Sequence, residues 1–385
     1  MKEKFLRELA DIQTGPFGSQ LHKEDYVADG TPIVTVEHLG NKMFSEQNLP
    51  RVSNTDKNRL KKYVLKQGDI VFSRVGSVDR CSYVDQKHDG WMFSGRCLRV
   101  RPTSEIDSEY LYYYFCLEET KQFVRNIAVG ATMPSINTKL LGEVVVTFPE
   151  LEQQKRISGI LSAIDSKIEV NQKINDNLSD LLQTIYQGQF GKVGLANNCG
   201  ILADICSYSK DKIEIFKLSL DTYYSTENML PEKSGAVKAT SLPTTSQTTA
   251  CHKGDTLISN IRPYFKKIVY CEDDCGCSTD VLCFKPVHPR YTAYLFSTLY
   301  ADSFFDFMVA GAKGTKMPRG DKQQIMTYPV VLPSEKDLSE FNSVATPILT
   351  QIYSNRTESE RLSAIRDTLL PKLILGEIDV SSIQL

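Results

Sequence analysis

Two matched places in the chain carry side chains suited to reading the edge of a nucleic-acid base. Arg74 and Arg80 follow the run Gly68-Asp69-Ile70-Val71-Phe72-Ser73, and Asn260 and Arg262 follow Gly254-Asp255-Thr256-Leu257-Ile258-Ser259. A guanidinium can make two parallel hydrogen bonds to guanine, and a carboxamide can do the same to adenine. Lys61 and Lys62, close after Lys57 and Arg59, suit phosphate contact or a solvated face. Two turns add hydroxyl and cationic groups: Thr132 and Ser135 in Gly130–Ser135, and Thr315, Lys316 and Arg319 in Gly314–Arg319. Their small-residue backbones allow close approach to a groove. The chemistry available is non-covalent recognition.

Signals for covalent chemistry are missing from the sequence. There is no Gly-x-x-x-x-Gly-Lys-Ser/Thr loop, and Gly311-Ala312-Lys313-Gly314-Thr315-Lys316 has the wrong spacing for one. Nor is there an Asn/Asp-Pro-Pro-aromatic methyltransferase motif, a His-Glu-x-x-His or a Gly-x-Ser-x-Gly. The expectation is a non-enzyme with no catalytic residues, no cofactor and no metal. Cys271, Cys275, Cys277 and Cys283, with Cys251 and His252 before them, raise the question of zinc. Their spacing fits no familiar zinc pattern and the first half of the chain has no equivalent, so buried free thiols are expected.

With 385 residues the chain is long enough for two domains, and 41% hydrophobic content is ordinary for a folded protein. No run of about 18 apolar residues is present, and the opening Met1–Ile12 is charged and amphipathic rather than a signal peptide. Ten cysteines in that context fit a reducing, cytoplasmic setting. The net charge of −2 requires any face for DNA to be a local patch.

Two long segments must position these residues. In Pro149–Gly191, apolar residues fall at Ile157, Leu161, Ile164, Ile168, Ile174, Leu178, Leu181 and Ile185, the 3/4 spacing of a coiled-coil seam. Asn171 stands where a core residue is due, so a phase slip is expected there, with Gly188 and Gly191 as the stop. About 38 helical residues would make a rod of roughly 57 Å, which needs a partner helix. The partner lies in the same chain. From Pro333, Leu338, Phe341, Ala345, Ile348 and Ile352 keep a seam, and Leu362, Ile365, Leu369 and Leu373 resume it. Ser334 is the expected N-cap, three residues before Asp337. Pro347 and Pro371 are expected to kink or interrupt this helix. Extra apolar positions such as Ile160 and Leu182 point to burial against a further helix from a partner.

The landmarks repeat. Leu9-Ala10-Asp11-Ile12 returns at Leu202-Ala203-Asp204-Ile205, and the Gly68-Asp69 strand at Gly254-Asp255. Gly130-Ala131-Thr132-Met133-Pro134 returns as Gly314-Thr315-Lys316-Met317-Pro318, and Phe148-Pro149 as Leu332-Pro333. The offsets are 193, 186, 184 and 184 residues, in one order along the chain. That is a tandem duplication. Residues 1–148 form a first globular domain, 149–191 a long helix, 192–332 a second globular domain and 333–385 a second long helix. Each globular unit reads as α/β (α+β) with short strands. In the first these are Pro32–Val36, Asp69–Ser73, Trp91–Phe93, Cys97–Val100 and Val144–Phe148, with one buried helix over Glu109–Phe123. In the second they are Thr256–Ser259, Lys267–Cys271, Val281–Phe284 and Tyr328–Leu332, with a helix near Tyr291–Phe307 and a loop over Ser234–Thr249. The long helices should pair as an antiparallel coiled coil, giving a pseudo-two-fold object.

The order of globular domain, long helix, globular domain, long helix resembles the specificity (S) subunit of type I restriction–modification systems. The local match is Phe148-Pro149-Glu150-Leu151-Glu152-Gln153-Gln154-Lys155-Arg156-Ile157 running into Ile164-Asp165-Ser166-Lys167-Ile168, similar to that family's conserved central region. Leu9–Gly15 and Gly130–Ile136 also resemble its target-recognition domains. The second copy opens Pro333-Ser334-Glu335-Lys336-Asp337, without the Glu-Gln pair. The resemblance implies that each globular domain reads one half of a bipartite, asymmetric double-stranded DNA site. It further implies that the paired helices set the spacing and dock two methyltransferase (M) subunits, with restriction (R) subunits joining that complex and no membrane involved. Two other readings compete with it: a non-DNA scaffold with two ligand- or protein-binding domains, and a reader in a related methylation or defence system.

Overall fold

Hydrophobic seams that cannot be buried locally dictate the architecture. The computed structural model describes residues 1–40, 42–191 and 198–381. The chain divides into two compact units, Met1–Glu169 with Ser359–Leu385, and Val170–Glu358. Each unit thus takes part of both long helices. The expected junction at residue 192 lies outside the described residues.

In the first unit, a four-stranded antiparallel sheet runs in the order Ala10–Thr14, Cys97–Pro102, Ile70–Ser73, Cys81–Tyr83. Its side chains alternate between two cores, as a pleated strand requires. Ile70 and Phe72 join one cluster with Tyr110, Leu111, Tyr113 and Phe115, while Val71 joins Ile33, Val34, Met92 and Phe93 in another. The second cluster is closed by a small sheet of Tyr26–Val27, Arg51–Val52, Thr31–Val34 and Met92–Phe93, whose last pairing is parallel. The first is covered by Ser108–Cys116 and Glu118–Ile127. The single helix expected over Glu109–Phe123 is therefore two. Asp107 caps the first by accepting from the Tyr110 N–H at 2.8 Å, and Leu117, with ψ 135°, leaves helical backbone between them.

The second unit repeats this plan. Cys206–Tyr208, Val281–Pro286, Thr256–Ser259 and Ile268–Tyr270 form the same four-stranded order. Lys212–Glu214, Gln247–Cys251, Cys275–Cys277 and Tyr223–Tyr224 form the smaller sheet, again with one parallel pairing. The helix is again broken, into Thr292–Tyr300 and Asp302–Ala310, at Ala301 with ψ 141°. Most of Ser234–Thr249 is loop, ending in the Gln247–Cys251 strand. A two-stranded ribbon closes each unit: Lys2–Phe5 with Val145–Phe148, and Cys199–Ile201 with Pro329–Val331.

The long helices are Leu151–Phe190 and Glu335–Ile374, each of 40 residues and shifted from one another by the repeat length of 184. In the first unit, Ile157 and Leu161 of the first share a core with Leu370, Leu373 and Ile374 of the second. In the second unit, Leu182, Tyr186 and Phe190 meet Leu338, Phe341 and Ala345. The start of each helix meets the end of the other, so they run antiparallel. Ser334 caps the second helix as expected, accepting from the Asp337 N–H at 3.2 Å.

Three expectations for these helices are corrected. Pro347 and Pro371 do not interrupt the second helix, and Gly188 lies inside the first, leaving Gly191 just beyond its end. The seam does not slip at Asn171. Asn171 is 1% exposed and Asn175 half-buried, and the seam continues through Leu178, Leu182 and Tyr186. Ile174, Leu181 and Ile365, assigned to the seam, are 39%, 48% and 49% exposed. The physical reason is a polar network inside the second unit. Asn171 Nδ2 donates to the Asn355 carbonyl (3.3 Å) and to Glu358 (2.8 Å). Asn355 Nδ2 donates to Asn175 Oδ1 (2.8 Å), and Asn175 Nδ2 to the Ile352 carbonyl (3.1 Å). Satisfied in this way, an amide can occupy a seam position.

Candidate nucleic-acid interface

At one end of the four-stranded sheet, each unit builds the same two-loop device from its own residues. In the first unit the strand Ile70–Ser73 ends in a turn in which Ser73 Oγ donates to the Val75 carbonyl at 2.8 Å. Gly76, at φ 77°, donates its N–H to the Pro134 carbonyl (2.8 Å), and Ile136 donates to the Arg74 carbonyl (3.0 Å). The second loop is the tight turn between Val129 and Ser135, which exchange backbone hydrogen bonds of 2.9 Å. Gly130 opens it at φ 110°; a Cβ there would lie 2.7 Å from the Met133 carbonyl oxygen. Only glycine fits this position without displacement.

The second unit matches it bond for bond. Ser259 Oγ donates to the Ile261 carbonyl (3.2 Å), Arg262 N–H to the Pro318 carbonyl (2.8 Å) and Gly320 N–H to the Asn260 carbonyl (3.2 Å). Lys313 and Arg319 exchange hydrogen bonds of 2.9 Å around Gly314, at φ 102°. Backbone is held constant while side chains change: Arg74 faces Asn260 in the comparison, Gly76 faces Arg262, and Ala131-Thr132 faces Thr315-Lys316.

The expected site residues divide into three groups. Arg74, Thr132 and Ser135 come together in the first loop pair, and Arg262, Thr315, Lys316 and Arg319 in the second. Arg74 is half-buried; its guanidinium donates to the Gly95 carbonyl (3.2 Å) and lies 5.8 Å from the exposed Phe17 ring. Thr132, Thr315 and Lys316 are exposed at the turn tips, whereas Ser135 Oγ closes its own turn on the Val129 carbonyl (3.2 Å). Arg319 is exposed and pairs with Asp280 at 3.3 Å. Lys61 and Lys62 are exposed on a one-turn helix whose Tyr63 is anchored in the smaller core, and Arg80 donates to the Leu39 carbonyl beside Gly40. These three lie on other segments.

Two placements overturn the sequence reading. Asn260, expected at a base edge, is 6% exposed, with its Oδ1 buried beneath Gly320. Leu182, expected to meet a partner, is 1% exposed in the second unit's core, and Ile160 is only partly exposed against the first. The exposed apolar residues on the long helices include Leu181 and Ile365, which are repeat equivalents, Val344, the equivalent of Ile160, and Val170 and Ile174. Their exposure could have been read from the same helical spacing, had Asn171 been kept in phase.

The motif residue Gln154 is 1% exposed and ties the start of the first long helix to its unit. Its Oε1 accepts from the Asp107 N–H (2.8 Å) and its Nε2 donates to the Pro149 carbonyl (2.9 Å). The second copy has Leu338 there, buried in the core, while Lys336-Asp337 stand where the first copy has Glu152-Gln153.

Cys251, Cys271, Cys275, Cys277 and Cys283 are buried free thiols in one cluster with Leu257 and Val269. Cys271 and Cys275 Sγ are 3.6 Å apart, and the hydrogen bond between them, followed by burial, pushes the Cys271 thiol up. Among the described residues, no group of three or more His, Cys, Asp or Glu is arranged to hold a metal ion, and no helix is long and apolar enough to cross a membrane.

Known proteins resemble this chain in sequence and in fold. Residues 1–180 match the family model described as Type I restriction modification DNA specificity domain. The chain is similar to the MjaIX specificity subunit of Methanocaldococcus jannaschii, 22% identical over 311 residues, covering 74% of this chain and 72% of that one. It is also similar to the HindI specificity subunit of Haemophilus influenzae, 28% identical over 133 residues, but covers only 29% of it. The crystal structure of a type I restriction–modification S subunit from M. genitalium has the same fold, with a TM-score of 0.57 at 17% identity, over 97% of this chain and 95% of that one. In tandem architecture and in sequence, the chain is similar to the specificity subunits of type I restriction–modification systems.

Proposed function

We propose that this chain is the DNA sequence-specificity subunit of a cytoplasmic type I restriction–modification complex. Each globular unit reads one half of a bipartite, asymmetric site in double-stranded DNA. The chain performs no catalysis; methylation and cleavage belong to the subunits it directs. The observation that carries the reading is the duplicated loop pair, one backbone device presenting two different sets of side chains. Two readers with one scaffold are what an asymmetric site requires.

Within each device, Arg74 with Thr132, and Arg262 with Thr315, Lys316 and Arg319, are the residues proposed to meet DNA. Arg80 is a further candidate for a base edge, and Lys61 and Lys62 serve the phosphates. The long helices set the spacing between half-sites and dock two methyltransferase subunits, with restriction subunits joining through that complex. The exposed equivalents Leu181 and Ile365, with Val344, support two similar helix-docking faces, since a duplicated surface suits two copies of one partner. The test is binding of the complex, made with its neighbouring methyltransferase, to duplex DNA across a salt series. Affinity should fall linearly on a log–log scale with increasing salt, as counterion release demands. Absence of DNA binding at low salt contradicts the proposal.

A further inference from the structure

The second unit carries backbone strain that the first avoids. Five non-glycine residues among those described have left-handed φ, and four of them belong to the second unit: Glu232 (52°), Lys233 (60°), Arg262 (51°) and Lys266 (51°). They brace one another, because the Glu232 N–H donates to the Phe265 carbonyl (2.8 Å) and the Lys233 N–H to the Lys266 carbonyl (3.0 Å). Arg262 is the informative member. The first unit has Gly76 at this position, at φ 77°, making the same 2.8 Å bond to the facing turn. The turn therefore calls for glycine, and arginine occupies it against its steric preference. Pro263 adds to the conflict by pushing the residue before it toward extended backbone. Arg262 Nε is buried without a hydrogen-bond partner. Strain of this kind persists only where the surroundings enforce it, and it concentrates at functional positions.

The strained segment presents two aromatic rings. Tyr264 and Phe265 are 47% and 37% exposed, with ring centroids 4.8 Å apart, above a buried Pro263. A cation borders them, with Lys267 Nζ 5.9 Å from the Phe265 ring; Lys266, next in the chain, and Lys233 each place Nζ 2.8 Å from Asp302 Oδ1. At the equivalent positions the first unit has Val78, buried, and Asp79, paired with Arg125 at 2.6 Å. The aromatic pair is thus peculiar to the second unit and adjoins its loop pair through Arg262. Exposed rings edged by a cation suit stacking on or wedging between bases, and an arginine beside them suits a base edge.

We infer that Arg262–Lys266 is the segment through which the second unit discriminates its half of the DNA site, with Tyr264 and Phe265 against the bases or sugars and Arg262 reaching a base edge. The inference rests on the proposed DNA-reading function. It is tested by selecting bound sequences from a pool of random duplex DNA with the complex of full-length chain and co-expressed methyltransferase. The parent, Arg262→Gly and Tyr264→Ala/Phe265→Ala are compared. Both variants should enrich the parent's first half-site unchanged, while the second half becomes blank or altered. Arg262→Gly should melt at or above the parent's temperature, since glycine relieves the left-handed strain. Retention of the complete parental motif by both variants overturns the inference, and a lower melting temperature for Arg262→Gly overturns its strain argument. A parent that enriches no motif overturns the proposed function itself, so the two failures are distinguishable. The intact first half-site is the internal control that a variant has folded.

Discussion

Lys316 is exposed at a turn tip, and Asp302 holds two cations, Lys233 and Lys266, so the two residues should act in different ways. If Lys316 meets a phosphate, Lys316→Ala weakens binding to all sequences alike and lowers the salt slope by about 1, without changing the preferred motif. A change in motif would assign Lys316 to base reading instead. The carboxyl of Asp302 is held below the usual carboxylate range, first by hydrogen bonds from Lys233 and Lys266. A depressed folded-state pKa adds stability that is fully present above the unfolded value, about 3.9, and is lost as pH falls through the folded value. Asp302→Asn should therefore destabilise the chain near neutrality, and the difference from the parent should vanish in strong acid. Asp302 is 65% exposed, so about 1 kcal/mol is the ceiling. Melting curves across pH check both sign and size. At this scale the sequence was partly legible. Arg262 could be nominated from its type and place, but its left-handed backbone could not, because that depends on the facing Pro318 carbonyl. Asn260 was nominated by the same logic and proved buried.

At the scale of elements, Asn171 and Asn355 carry the most information. They are repeat equivalents, 184 residues apart, and Asn171 donates to the backbone of its own counterpart. Such a contact is self-complementary, and a buried amide in a helical seam favours one register over others at some cost in stability. Asn171→Leu/Asn355→Leu should leave the melting temperature equal or higher, while a photo-crosslinker placed at Leu178 reaches more than one turn of the second long helix. A single crosslinked turn in that variant contradicts a register role. Phe341, fully buried among Tyr186, Phe190 and Tyr294, is the contrasting case. Phe341→Ala should cost about 3–5 kcal/mol, read by denaturant unfolding, with no change of register. The existence, length and mutual pairing of the long helices were readable from spacing, and their antiparallel sense from the family resemblance. Their phase beyond Asn171 was not, because apolar residues were followed and the amides' partners lie about 180 positions away. The break at Leu117 escaped for a related reason. Leucine is a good helix former, and the break is repeated at Ala301, where alanine is a better one still.

For the whole molecule, duplication was the signal that survived divergence. Four short landmarks located two units whose main sheets then proved to share strand order, each unit having also a parallel edge pairing in its smaller sheet, a broken helix and a closing ribbon. Between the landmarks the loops differ, and that is where an asymmetric pair of readers must differ. The near-neutral charge predicted only that DNA contact would be local, and Lys316 and Arg319 are exposed cations on the second unit's loop pair. The central claim is modular reading of a bipartite site. It is tested most directly by co-expressing the chain with its methyltransferase and mapping methylated bases across the host genome. A second chain, with residues 1–145 replaced by those of a relative, is mapped alongside. The account predicts one bipartite, asymmetric motif for the parent and a change confined to one half for the exchange. No methylated motif, or a change in both halves, would contradict it.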